Sequence, residues 1–104
     1  MSERTSQFLH SVRRTWNPEA GILGAVLGLV GETGEVVELI KKSRFHGKRY
    51  DIDKYEEEIG DIFYYLYALC DELLLDPAIV MKKNAAKLAR RYPNGFVLGG
   101  GIRD

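Results

Sequence analysis

The chain has 104 residues and a mass of 11.8 kDa, a size that fits one domain and leaves no room for a second core. Fifteen Lys and Arg balance fifteen Asp and Glu, so the formal net charge is zero. This balance argues against a nucleic-acid binder or a membrane-surface binder that relies on long-range attraction. A domain this small buries a modest core, so we expect further burial between the subunits of a homo-oligomer.

The cysteine count and the N-terminal residues indicate the compartment. Cys70 is the single cysteine, and alone it cannot form an internal disulfide or a thiolate metal site, which fits a reducing environment. The N-terminal segment lacks the apolar region of a signal peptide. The longest apolar run, residues 22–30, is about half of the roughly 20 residues that a membrane span requires. We therefore expect a cytoplasmic protein with no membrane partner.

Four segments have the periodicity and the start signals of helices. Two begin with an N-cap residue followed by proline at the first helical position, at Asn17 and at Asp76. A third begins at Asp53, where Glu56 completes an acidic variant of the capping box. The four predicted helices span about residues 3–14, 18–44, 53–75 and 77–92.

The segments outside these helices are connections. Residues 43–54 form a basic loop, and Pro93, Asn94 and Gly95 form a turn before a glycine-rich tail, so that residues 93–104 are turn and tail. No stretch alternates with the period of two that is typical of strands. The sequence therefore predicts one all-α domain over residues 1–104, a four-helix bundle completed by homo-oligomerisation.

Each of the two central helices has a broad apolar arc that we expect to be buried. On a wheel of about 100° per residue, the apolar positions of each helix fall on one side. The arc of the second helix consists of Ile22, Ala25, Val26, Leu29, Val36, Leu39 and Ile40, and the arc of the third consists of Ile59, Ile62, Leu66, Leu69 and Leu73.

Acidic residues interrupt both arcs. Glu32 lies inside the arc of the second helix, and Glu35 lies one turn further at its edge. Glu58 lies in the arc of the third helix, and Asp61 lies one turn further at its margin. Carboxylates on an apolar face lose hydration, and neither arc holds a Lys or Arg to compensate them.

A divalent cation compensates such a group of carboxylates directly. Mg2+ and Mn2+ prefer oxygen ligands, which two acidic pairs on facing helices supply. The absence of His from the set argues against zinc or a di-iron centre. The alternative is a solvated face on which the spacing is accidental.

Two further stripes are polar or small. Four glycines on the second helix, Gly24, Gly28, Gly31 and Gly34, leave room either for a closely packed helix or for a ligand. The fourth helix carries Asn84, Lys87 and Arg91 on one polar stripe, and Lys54 stands one turn before Glu58. Lys and Arg on such a stripe can hold phosphate oxygens, although surface cations often serve only solubility.

Three segments, in this order, carry a family resemblance: GETGEVVELIKK, EEEIGDIFYYLYAL and NAAKLARRYPNGF. They closely resemble the MazG-type all-α nucleoside triphosphate pyrophosphohydrolases over about residues 28–96. The pattern of that family is E-E-x-x-E, a spacer and E-x-x-D. The resemblance implies a hydrolase of phosphoric anhydrides that uses Mg2+, with Mn2+ as a substitute. It implies cleavage of a (d)NTP between the α and β phosphates, which gives the (d)NMP and pyrophosphate.

The resemblance also implies roles for individual residues. The implied metal ligands are Glu32, Glu35, Glu58 and Asp61. The implied phosphate contacts are Lys54, Lys87 and Arg91, with Asn84 at a polar position near the substrate. One position departs from the family pattern, because its first Glu is Gly31 here. If that Glu activates water in some members, another residue must do so in this chain, and we favour Glu35 first and Glu32 second.

The sequence leaves several alternatives open. Phosphoribosyl-ATP pyrophosphatases and dimeric dUTPases of the same superfamily share the acidic pattern. The chain could also be a scaffold without catalysis, in which the cation only holds helices together. The resemblance implies a homodimer or a tetramer built as a dimer of dimers, and we favour the tetramer.

Overall fold

The computed structural model describes residues 2–100, which form four α-helices and no strand in that range. The helices are α1 (Glu3–Thr15), α2 (Gly21–Phe45), α3 (Ile52–Glu72) and α4 (Pro77–Arg91). The all-α class and the number of helices are thus confirmed. Residue 1 and residues 101–104 of the predicted tail lie outside the described residues.

Side-chain caps explain where three of the helices begin. Ser2 accepts a hydrogen bond from the Thr5 amide at 3.1 Å, and Asp76 accepts one from the Ala78 amide at 2.8 Å. The predicted start of the fourth helix is confirmed. The cap of α3 is Asp51, which accepts from the Lys54 amide at 3.3 Å. The prediction of Asp53 was therefore wrong by two residues, because Asp51 is the residue with extended backbone.

The second helix begins later than the Asn17-Pro18 signal indicates. The Asn17 side chain accepts from the Glu19 amide at 3.0 Å, and the Asn17 carbonyl accepts from the Ala20 amide at 3.0 Å. These bonds close a separate turn. Gly21 then has φ +63°, a left-handed value that interrupts the helical path before α2 continues.

The third helix ends earlier than predicted, at Glu72 and not at Leu75. Leu74 has φ +59°, and the Leu75 amide donates to the Cys70 carbonyl at 2.8 Å. A left-handed residue with such a bond closes a helix at its C-terminal end. A glycine usually marks such a helix end in a sequence, and position 74 is Leu, so the end of α3 could not be predicted from it.

The fold is centred on an antiparallel pair formed by α2 and α3, with α1 packed against α3. Residues Val12, Ala25 and Ala68 form the buried core. Phe8 packs edge-on against Tyr67 with ring centroids 4.9 Å apart, and Trp16 lies 6.1 Å from Tyr64. By contrast, α4 makes little contact with the other three helices.

The predicted apolar arcs are only partly buried. Ala25 is buried, and Leu29, Val36, Leu39, Ile62 and Leu69 are half-buried. The rest of the two arcs is exposed: Ile22, Val26, Ile40, Ile59, Leu66 and Leu73. Within a single chain the predicted burial of the arcs is therefore confirmed only in part, because α4 makes little contact with α2 or α3 and does not cover the rest.

One of the four glycines on α2 is where the two central helices approach closely. A Cβ atom added to Gly28 would overlap the ring of Tyr65. That ring is held in place by Trp16, at 6.0 Å, and by Tyr64, at 5.3 Å between centroids. A Cβ at Gly31 or Gly34 would meet open space. Close packing of α2 on α3 therefore explains Gly28 but neither Gly31 nor Gly34.

We expect Gly28→Ala to destabilise the protein. Overpacking against Tyr65 costs about 1–3 kcal/mol, which outweighs or cancels the gain of about 1 kcal/mol in helix propensity. The matched control is Gly34→Ala, where the propensity gain of up to about 1 kcal/mol meets no clash. Urea denaturation measures the change in the free energy of unfolding for both variants. Equal shifts of the midpoint in the two variants would contradict the close approach at Gly28.

Candidate functional site

Three of the four predicted acidic residues come together where α2 and α3 face each other. Each of Glu32, Glu58 and Asp61 offers one carboxylate oxygen, and these oxygens all lie within 4.8 Å of one another. Glu32 and Glu58 are half-buried and Asp61 is exposed. The i, i+3 spacing on α3 places its two carboxylates on the side that meets Glu32 of α2. We call these three residues the acidic cluster.

The electrostatics of the acidic cluster are unfavourable without a cation. Burial is the main cause that raises the pKa of Glu32 from its ordinary value of 4.5 to about 7. Protonated Glu32 can donate a hydrogen bond to the Glu58 carboxylate, and this bond and the negative charges of Asp61, Glu58 and Glu35 raise the pKa of Glu32 further. In addition, the buried Oε2 atom of Glu58 has no hydrogen-bond partner within residues 2–100. Buried polar atoms usually have a partner, so the unpaired Oε2 atom points to a ligand.

The cluster fits a hard divalent cation. All of its donors are carboxylate oxygens, the ligands that Mg2+ and Mn2+ prefer. A cation would relieve the repulsion that raises the pKa of Glu32, and it would satisfy Glu58 Oε2. Glu32, Glu58 and Asp61 are the residues that would hold it.

Glu35 lies beside the acidic cluster and is not among the three converging residues. Its side chain is exposed, as its predicted place at the edge of the arc implies. Its negative charge nevertheless contributes to the raised pKa of Glu32. The structure thus brings together Glu32, Glu58 and Asp61, and leaves Glu35 one turn away on α2.

The predicted cationic residues lie on two separate elements. Lys54 is exposed in the first turn of α3, one turn before Glu58. Asn84 is exposed on α4, where Lys87 and Arg91 are half-buried. Because α4 makes little contact with α2 or α3, a single chain does not pack this stripe against the acidic cluster.

Sequence reasoning missed Tyr55. This residue is 7% exposed, and its buried hydroxyl has no hydrogen-bond partner in the part of the chain that the structure describes. It precedes Glu58 by three residues and so lies on the same face of α3. That spacing is the sequence feature from which its position next to the acidic cluster could have been predicted. Its ring packs against Tyr50, with centroids 4.8 Å apart.

Four aromatic residues, Phe8, Trp16, Tyr64 and Tyr67, pack against the core. Trp16 donates from Nε1 to Glu72 Oε2 at 2.8 Å, and Thr15 and Tyr64 share a hydrogen bond of 2.8 Å. Arg13 forms two hydrogen bonds with Asp71, at 2.7 and 3.0 Å. These contacts hold α1 on α3, a function that the helical periodicity alone does not indicate.

Comparison with known families decides the classification. Residues 22–96 match the family model of the MazG nucleotide pyrophosphohydrolase domain. The chain belongs to the MazG family.

The matched range contains all three residues of the acidic cluster and the whole of α4. The Gene 37 protein of Mycobacterium phage L5 is 29% identical to this chain over 85 residues, which cover 78% of this chain and 75% of that protein. No solved structure matches. None of the helices in the described range combines the length and hydropathy of a membrane span.

The raised pKa of Glu32 predicts how the metal-free MazG domain responds to pH. The folded protein holds the Glu32 proton more tightly than the unfolded chain does, so the free energy of unfolding falls as pH rises from about 4.5 to about 7. We expect the Tm of EDTA-treated protein to fall over this range. Added Mg2+ should raise the Tm near neutral pH more than in the acid range, because metal binding requires ionised ligands.

The matched variant is Glu32→Gln, which has no proton to lose. Its Tm should vary less between pH 4.5 and 7 than the Tm of the wild type, as measured by circular dichroism. The same decline in both proteins would show that other groups cause it.

Proposed function

We propose that the chain is a Mg2+-dependent nucleoside triphosphate pyrophosphohydrolase that cleaves a (d)NTP between the α and β phosphates. The products are the (d)NMP and pyrophosphate. Membership of the MazG family supports the class of reaction. The convergence of Glu32, Glu58 and Asp61 is the observation that supports a divalent metal.

Glu32, Glu58 and Asp61 would hold the cation, and Glu35, on the next turn of α2, is the fourth proposed ligand. When bound, such a cation would supply neutralisation of phosphate charge and a more acidic water. Glu35 is also the preferred base for the attacking water, because its exposed carboxylate lies beside the three converging oxygens and not among them. Glu32, one turn before Glu35 on α2, is the second choice.

The attack is in line with the bond that breaks. The water oxygen forms a bond to phosphorus, the proton passes to the Glu35 carboxylate, and the bond from phosphorus to the bridging oxygen breaks. Negative charge then gathers on the leaving pyrophosphate. Lys54, Lys87 and Arg91 stabilise this charge, and Asn84 contacts the substrate nearby.

The surface of the chain supports assembly into a homo-oligomer. The chain exposes 8277 Å², whereas a compact monomer of this mass exposes about 5900 Å². Its radius of gyration is 16.8 Å, against about 13 Å for a compact chain of this length. Leu23, Leu27 and Val30 on α2 are each more than 60% exposed. We infer that a second copy covers this face and that the stripe on α4 meets an acidic cluster only in the assembled oligomer.

We expect the protein to be a dimer or, by preference, a tetramer built from two dimers. Multi-angle light scattering at micromolar concentration should give two or four times 11.8 kDa. A charged residue on the exposed face, as in Leu27→Glu, should lower the mass and the activity together. A monodisperse monomer with full activity would contradict this part of the proposal.

A substrate panel tests the function. Purified protein is assayed for pyrophosphate release from the common NTPs and dNTPs and from phosphoribosyl-ATP, with Mg2+, with Mn2+ and with EDTA. Release from one or more (d)NTPs in the presence of either metal supports the proposal. Activity on phosphoribosyl-ATP or on dUTP alone assigns the chain to those branches of the superfamily. Mg2+-dependent stabilisation without any turnover indicates a metal-bound scaffold.

A further inference from the structure

We propose that the segment between the central helices, residues 41–54, binds the β and γ phosphates of the nucleotide through Lys48 and Arg49. We call residues 41–54 the basic segment. It includes the last turns of α2, the connecting loop and the first turn of α3. The inference rests on the proposed function, because it names the part of the chain that receives the pyrophosphate half of the substrate.

The first observation is charge. The basic segment has six Lys and Arg against two Asp, a net charge of +4, so the rest of the neutral chain carries −4. A molecule without net charge thus concentrates its positive charge in one short segment. Such a local field attracts a compact anion even though the whole protein does not.

The second observation is that these cations are unpaired. Within residues 2–100 the ion pairs are Arg13 with Asp71, at 2.7 Å, and Lys41 with Glu38, at 3.9 Å. Lys48 and Arg49 are therefore exposed and have no carboxylate partner in that range. Their hydrogen-bond donors are available to phosphate oxygens, to which Arg binds as a planar fork and Lys as a point charge.

The third observation is that the loop is held in place at both ends. The Lys48 amide donates to the Lys42 carbonyl at 3.1 Å, and Gly47 reverses the chain with φ +65°. At the other end, the ring of Tyr50 packs on Tyr55, with centroids 4.8 Å apart. Lys48 and Arg49 are thus confined between two anchored positions.

Chain connectivity sets the distance between the basic segment and the acidic cluster. The cap of α3 is Asp51, so Glu58 lies about 10.5 Å further along the axis of α3 at 1.5 Å per residue. Arg49 precedes that cap by two residues, at the end of α3 from which the helix runs toward the carboxylates. A polyphosphate would extend between the acidic cluster and the Lys48 and Arg49 side chains.

The chemistry of the substrate requires such cations. A triphosphate next to three carboxylates is repelled unless positive charge compensates it. The basic segment is joined directly to both helices of the acidic cluster, whereas α4 makes little contact with them. The charge distribution also favours a nucleotide over a nucleic acid, because the −4 on the rest of the chain repels an extended polyanion.

The experiment compares two double variants that remove the same charge. Lys48→Gln with Arg49→Gln alters the basic segment, and Arg14→Gln with Lys82→Gln alters exposed positions on α1 and α4 outside the proposed site. Each protein is titrated by calorimetry, in the presence of Mg2+, with inorganic pyrophosphate, with a nucleoside monophosphate and with a single-stranded oligonucleotide. The kcat/KM for release of pyrophosphate from the preferred (d)NTP is measured in parallel.

We expect the loop variant to bind pyrophosphate at least about tenfold more weakly, with a similar loss in kcat/KM. Its affinity for the monophosphate should be unchanged, and the control pair should stay within about twofold of the wild type on both measures. Circular dichroism checks that both variants keep the helix content of the wild type.

Three results would overturn the proposal: unchanged affinity of the loop variant for pyrophosphate, an equal loss in both double variants, or a selective loss of binding to a single-stranded oligonucleotide. The last result would assign the basic segment to nucleic acid. If the wild type releases no pyrophosphate from any nucleotide, the proposed function fails. The pyrophosphate titration still decides whether the basic segment binds phosphates.

Discussion

Glu58→Gln should reduce pyrophosphate release by at least about a hundredfold, because it removes a ligand charge from the centre of the acidic cluster. Glu58 is the member of the acidic cluster with a buried oxygen that has no hydrogen-bond partner among residues 2–100, so its carboxylate has the clearest reason to bind a cation. Asp61→Asn and Glu35→Gln should have the same effect, since one supplies a converging oxygen and the other is the preferred base.

The matched control for this experiment is Glu57→Gln. Glu57 is the neighbour of Glu58 on α3, and its side chain is exposed and outside the acidic cluster. It should retain wild-type activity. Pyrophosphate release is measured at saturating Mg2+, and the helical CD spectrum of every variant should match the wild type. Full turnover by Glu58→Gln or Asp61→Asn would refute the proposed metal site.

The position of the acidic cluster was predictable because helical periodicity is a local property. The interruption of two apolar arcs by Glu32 and Glu58 placed both side chains on the seam between α2 and α3. The extent of burial was not predictable in the same way. Ile22 and Ile59 have the same periodicity as Ala25 and Ile62, yet the first two are exposed. The part of a broad apolar arc that is buried depends on where the neighbouring helices pack, so the sequence of one helix does not determine it.

The helix boundaries also have two kinds of cause: some are set by neighbouring residues in the sequence, and others by the tertiary structure. Asp76 and Pro77 form a complete start signal within two residues, and the structure follows it. Leu74 adopts a left-handed conformation that its residue type does not favour, because the chain must turn there from α3 into α4. The Asn17 side chain does accept a backbone hydrogen bond, as a cap residue should, but the bond closes a turn before α2 and does not start the helix.

Lys87→Ala should lower kcat/KM by about tenfold to more than a hundredfold, since a charge-assisted contact to phosphate contributes about 1.5–3 kcal/mol. The proposed partner of Lys87 is the pyrophosphate that leaves, where negative charge increases during the reaction. The loss should therefore affect kcat, and not only KM, because the contact strengthens in the transition state.

Lys82→Ala is the control on the same helix. Lys82 is exposed and lies roughly opposite Lys87 on a wheel of about 100° per residue. The two variants remove the same charge and the same side-chain length from α4. Steady-state kinetics with the preferred (d)NTP measures both. If kcat/KM is unchanged in Lys87→Ala, the stripe is ordinary solvated surface.

Because α4 packs little against the other helices of its own chain, its stability depends on the surface that covers it in an assembly. Within one chain, α4 has a side-chain cap at Asp76 and basic residues in its last turn, but little packing. A helix of this length is marginal in water without tertiary support. Its backbone amides should therefore exchange with solvent faster than those of the α2 and α3 pair, as a separate cooperative unit. If a second copy covers α4, dilution will unwind the helix that carries Lys87 and Arg91, so activity will fall before the central pair unfolds.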